Sequence, residues 1–122
     1  MNIERPEKEL FVTALSLSEV ERFRRLAEEL SPGLGSQDSP TPPEDRGRSA
    51  YQVIVDRTRN TICSDETVRR LSVELEGRHD VDLGLAICDL LATFIGGPAI
   101  FLISAQIVYS GVHMFCDRYW KK

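Results

Sequence analysis

Apolar positions are spaced in two different ways along this chain, and the spacing predicts most of its elements. In "LSLSEVERFRRLAEEL", Val20, Phe23, Leu26, Ala27 and Leu30 recur three and four apart among charged residues. That interval lays one apolar stripe along an α-helix. Ser18, with Glu21 three residues on, forms a capping box that starts it. "ELFVTAL", just ahead, is too short for periodicity to separate helix from strand. Residues 31–49, "SPGLGSQDSPTPPEDRGRS", hold four prolines, three glycines and four serines. Its prolines lack amide donors and the stretch offers little apolar surface to bury, which predicts a linker.

In "AYQVIVDRT", Tyr51, Val53 and Val55 alternate with Gln52 and Asp56, and Ile54 breaks the alternation. A short strand over 50–56 fits the alternation, but a lone strand would have nothing to pair with, which favours a helix beginning there or an extended connector. Ser64 or Asp65 then caps a helix carrying Val68, Leu71, Val73 and Leu75, which Gly77 ends. Asp80 or Asp82 caps the next, through "LGLAICDLLATFI". Gly96 and Gly97 stop that helix, and Pro98 opens the last one. The expectation is an all-α small helical bundle in three parts. These are an amphipathic helical region (1–30), the linker (31–49) and a body (50–122) ending in an apolar hairpin (82–120) that turns at 96–98.

The hairpin carries the main ambiguity. Between Asp89 and Asp117 there is no Asp, Glu, Lys or Arg, a longer run than the roughly 18 apolar residues that mark a spanning helix. Phe115, Arg118, Tyr119, Trp120, Lys121 and Lys122 follow, an aromatic-then-cationic border of the kind head groups favour. A helix over 82–95 would reach only about 20 Å, against about 30 Å of hydrocarbon. A single span over 94–115, or a re-entrant hairpin, therefore fits better than two spans. The competing expectation is a soluble bundle in which amphipathic helices sheathe the hairpin.

Within the hairpin, Gln106, Ser110, His113 and Asp117 fall on one helical face, and Asp82, Asp89 and Thr93 on another. Folding at the glycines would set Asp89 near Ser104 or Gln106, and Asp82 near His113. Two facing seams that satisfy one another are expected, because an unpartnered buried charge costs several kcal/mol.

Charge and candidate chemistry change this picture little. The net charge of −4 and the absence of a basic block argue against a nucleic-acid surface. Runs such as "ERFRRLAEE" read as solvated helix faces. Cys63, Cys88 and Cys116 are odd in number and form no CxxC, and charges stand early where a signal peptide would be apolar. Free thiols in a reducing compartment are expected. His79 beside Asp80 and Asp82, and His113 with Cys116 (joined by Cys88 or Asp117), are the residues that could ligate metal or act as bases. Helix capping and packing explain both groups more simply. Ser39 and Thr41, each followed by proline, are candidate phosphorylation positions. No GxSxG, HExxH, Walker or dinucleotide pattern occurs.

The expectation is thus a non-enzymatic chain without cofactor or small-molecule substrate. It would be a membrane-associated accessory subunit or adaptor that binds a protein partner, or its own copies, through the Val20, Phe23, Leu26 and Leu30 face and the helix around Val68. The alternative is a soluble, cytoplasmic interaction module with the hairpin as its core.

Overall fold

The computed structural model of the chain describes residues 6–30, 41–75 and 81–120, with side chains over 7–30, 41–73 and 81–120. The described residues form eight α-helices and no strand. "ELFVTAL" is helical, inside α1 (Pro6–Ser16). Phe11, Ala14 and half-buried Leu15 turn inward at intervals of three and four, so burial settles what local spacing could not. The capping box ahead of α2 (Glu19–Leu30) forms on its hydroxyl side, where the Glu21 N–H donates to Ser18 Oγ at 3.1 Å.

α3 (Pro43–Ser64) moves one boundary and decides between the alternatives left open for residues 50–56. The proline-rich linker gives way to helix at residue 43, not 50, because Pro43 sits where a helix needs no N–H donor and Glu44 and Asp45 follow in the first turn. Residues 50–56 are helix, neither the short strand nor an extended connector. Ile54, which broke the alternation, packs with Tyr51 against the core, while Val55, Thr58 and Ile62 are buried on the same side. Val53 points outward. Side-chain pairs Gln52–Asp56 and Arg59–Asp56, at 3.0 and 3.3 Å, link successive turns on the solvent side. At Gly47 the backbones of α2 and α3 touch, and a Cβ would overlap the Phe23 carbonyl.

Asp65 caps α4 (Glu66–Leu75), accepting from the Val68 N–H at 3.0 Å. The hairpin consists of α5 (Val81–Leu91) and α6 (Ala99–Ser110). They run antiparallel, with the Ser104 hydroxyl donating to the Gly84 carbonyl at 2.6 Å. The Phe11 ring lies where a Cβ on Gly84 would stand, which brings α1 down onto the same crossing.

The helix expected to continue through His113 and Asp117 stops at Gly111, whose φ of 102° closes α6. Two short helices follow, α7 (Val112–Phe115) and α8 (Asp117–Trp120). An unbroken helix over 94–115 is therefore absent. α6 spans about 18 Å at 1.5 Å per residue, against about 30 Å of hydrocarbon. Among the described residues no helix is long and apolar enough to cross a membrane.

α6 is the centre of the molecule. Residues 101–108 are all buried, with α1, α2 and α5 packed around them. α3 covers α2, α4 lies on α5, and α8 returns to α3. Each buried Ile, Leu or Phe of this core contributes about 1.5–3 kcal/mol over its exposed state.

Candidate interaction surface

The polar stripe of α6 organises the neighbouring helices. Gln106 is buried, and its carbonyl accepts from Arg22 Nε at 2.8 Å. Its amide donates to Glu19 Oε1 at 2.7 Å and to Ser110 Oγ at 3.1 Å. Arg22 is only 1% exposed. Its Nη1 donates to the carbonyls of Ala14, Leu15 and Leu17 at the end of α1. The Ala14 carbonyl also accepts from the Leu17 N–H at 3.2 Å, while carbonyls at a helix end lack i+4 donors, and α1 has no basic residue in its last turn. Arg22 supplies both the donors and the positive charge. The guanidinium also lies over the Tyr109 ring, 4.4 Å from its centroid. Burial lowers the Arg22 pKa from the ordinary guanidinium range, and burial raises that of the Tyr51 phenol. One side chain of α6 thus fixes α2, and one side chain of α2 fixes the end of α1.

That frame holds open a groove of about 400 Å³ between α1 and α2. Its floor is apolar, formed by Ala14 with Phe101 and Leu102 of α6. Leu10 and Thr13 stand along the α1 side, Leu17 follows in the connector, and Pro98 closes the end. The opposite wall is all charge: Glu21, Arg25, Glu28 and Glu29, at helical intervals of four, three and one. Glu21 already holds Arg24 and Arg25 at 3.0 and 3.2 Å. Glu28 and Glu29 are exposed and make no ion pair among the described residues. The wall therefore carries excess negative charge over an apolar floor.

The far end of α6 is closed. Cys63, at the end of α3, and Cys116, between α7 and α8, form a disulfide. Free thiols were expected at all three cysteines, and only buried Cys88 remains one. They are 53 positions apart in sequence, and the fold alone brings their Cα atoms to 5.4 Å, within bridging range. The Trp120 indole donates to the Cys63 carbonyl at 2.8 Å, and its ring meets His113 edge-on. His113 Nε2 lies 3.2 Å from the Ser72 carbonyl, a contact that needs the proton on Nε2 because a carbonyl only accepts. Arg59 stacks over Phe115 at 4.6 Å. Cys116 is consumed by the bridge, so the His113–Cys116 metal pair is not available.

The predicted site residues thus scatter. Gln106 and Ser110 share the seam, but their partners are Glu19 and Arg22 rather than Asp89. Asp82 and Asp89 lie on the exposed side of α5, because that helix turns Gly84, Leu85 and Cys88 toward the core. His113 faces α4, not Asp82. Of the proposed partner-binding face, Phe23 and Leu26 are buried by this chain itself, Leu30 is half-buried, and Val20 is 45% exposed. On α4, Val68 is buried and Val73 is exposed. Among the proposed interface anchors, Phe115 and Trp120 pack on the body, while Arg118 and Tyr119 are exposed. Lys121 and Lys122 lie outside the described residues, as do His79, Asp80 and Ser39. Thr41 is exposed ahead of α3. Sequence reasoning missed Arg22 and the groove. No known protein family, curated protein or solved structure matches the chain.

Proposed function

We propose that this chain is a non-enzymatic protein-interaction module that uses the α1–α2 groove as its docking surface. The observation that carries the reading is the groove itself, an apolar floor continuous with the α6 core and bordered on one side by charge. Apolar floors with a polar rim are how helical proteins receive partner segments. The reading is favoured over a membrane-embedded hairpin because α1, α2 and α5 already cover the apolar side chains that would have to face lipid.

Selection from a displayed library of helical peptides tests it, with the folded chain as target and a Thr13→Trp variant as counter-target. Thr13 is exposed, so the indole fills the groove without entering the core. The reading expects wild-type binders that lose the variant. Binders that hold both forms equally would overturn it.

A further inference from the structure

We infer that the occupant of this groove is an amphipathic helix of a partner protein that carries Lys or Arg along one edge of its apolar face. The inference rests on the groove being the docking surface and adds the chemistry of what docks there.

Three features lead to it. The first is shape. Leu10, Thr13, Ala14 and Leu17 recur at three and four along one side, and Phe101 and Leu102 form the base. From Leu10 to Leu17 a helix advances about 10 Å, roughly two turns. A second helix laid alongside would meet ridges at its own spacing.

The second feature is the residual exposure of the floor. Ile103, Ala105 and Ile107 of α6 are fully buried, whereas Phe101 and Leu102 keep 7% and 8% of their surface open. Leu10, beside them, is 51% exposed. A partner's Leu or Ile side chains at i, i+3 or i+4, and i+7 would remove that surface from water.

The third feature is charge, and it sets the partner's chemistry. The four charged groups of the groove stand on the α2 wall alone, and Arg25 is answered by Glu21. Glu28 and Glu29 are left over at the end of α2. The α1 wall contributes Leu10 and Thr13, with no charge. A bound helix therefore meets carboxylates along one edge only, and cations on that edge would complement them. The residues joining α2 to α3 do not suit the groove. "SPGLGSQDSP" offers one large apolar side chain, Leu34, and its only charge is Asp38.

Three synthetic helical peptides test the proposal, identical in their Leu pattern and bearing Lys, Gln or Glu along the α2-facing edge. Binding to the full chain is measured by fluorescence anisotropy and mapped by amide chemical-shift changes. The Lys peptide should bind best and shift Leu10, Thr13, Phe101 and Leu102. Glu28→Lys combined with Glu29→Lys should weaken it about tenfold, equivalent to about 1.4 kcal/mol, and should favour the Glu peptide instead. Both variant positions are exposed, and an unchanged circular-dichroism melt verifies the fold.

Equal binding of all three peptides in the groove would overturn the cationic partner and leave the docking surface standing. Binding that maps outside the groove, or that survives Thr13→Trp, would overturn both. A chain that dimerises by light scattering, and does so no longer with Thr13→Trp, would replace the partner with a second copy and overturn the proposal.

Discussion

At its C-terminal end α6 runs into a segment fixed by a disulfide, an indole hydrogen bond and an imidazole contact. At its N-terminal end Pro98, Phe101 and Leu102 meet a groove instead. Both ends carry the same apolar chemistry, and the contrast lies in what covers it. On the closed side, α7 and α8 bind the backbone carbonyls of Cys63 and Ser72, which cannot rearrange without unfolding α3 or α4. On the open side the charged wall is built from long side chains, with Arg25, Glu28 and Glu29 exposed, which can reorient at little cost. A helical body this small needs its apolar centre closed somewhere permanently to be stable, and it can leave one end available for exchange.

The largest test of that contrast removes the closure. Replacing Cys63 and Cys116 by alanine, or reducing the bridge, releases a constraint across 53 residues of sequence. By loop entropy this should cost about 4 kcal/mol, read as a lower urea midpoint. Groove binding at low denaturant should persist.

Arg22→Ala should cost about 3 kcal/mol, because Gln106 and the carbonyls ending α1 lose a buried charged donor. Here peptide binding should fall with stability, since Arg22 holds the α1 wall in place. Trp120→Phe keeps an aromatic ring, smaller than the indole, and deletes the donor to Cys63. A loss of about 1 kcal/mol is expected, again by urea titration. Least of all, Glu28→Lys should change stability by no more than about 0.5 kcal/mol while altering peptide affinity. An open side that proved as sensitive as the closed one would erase the distinction.

Parts of the helical frame were legible in the chain, but the contrast between the two ends of α6 was not. Ser18 and Glu21 marked the start of α2, Pro98 lay at the start of α6, and Gln106 with Ser110 stood out as one seam. Its partner was hidden by Arg22 itself. Arg22 precedes Phe23 and lies four before Leu26, so spacing admits it to the buried stripe, and only its charge argued otherwise. The stripe is rotated by about one position from the purely apolar reading, with Arg22 inside and Val20 outside. That rotation is stabilised by the carbonyls at the end of α1, which accept from Arg22, a tertiary contact that no local pattern carries. Ile54 taught the same lesson: it spoiled an alternation and belonged to a helical stripe. The disulfide gave no signal, since Cys63 and Cys116 meet only when α8 returns to α3.

The central claim is that α6 is covered by its own chain. Hydrogen exchange on the full protein, free of detergent and lipid, tests it most directly. The amides of residues 103–107 should exchange only through global unfolding, with protection equal to the stability measured in urea. Rapid exchange at those amides, becoming slow only when detergent micelles or lipid vesicles are added, would contradict it.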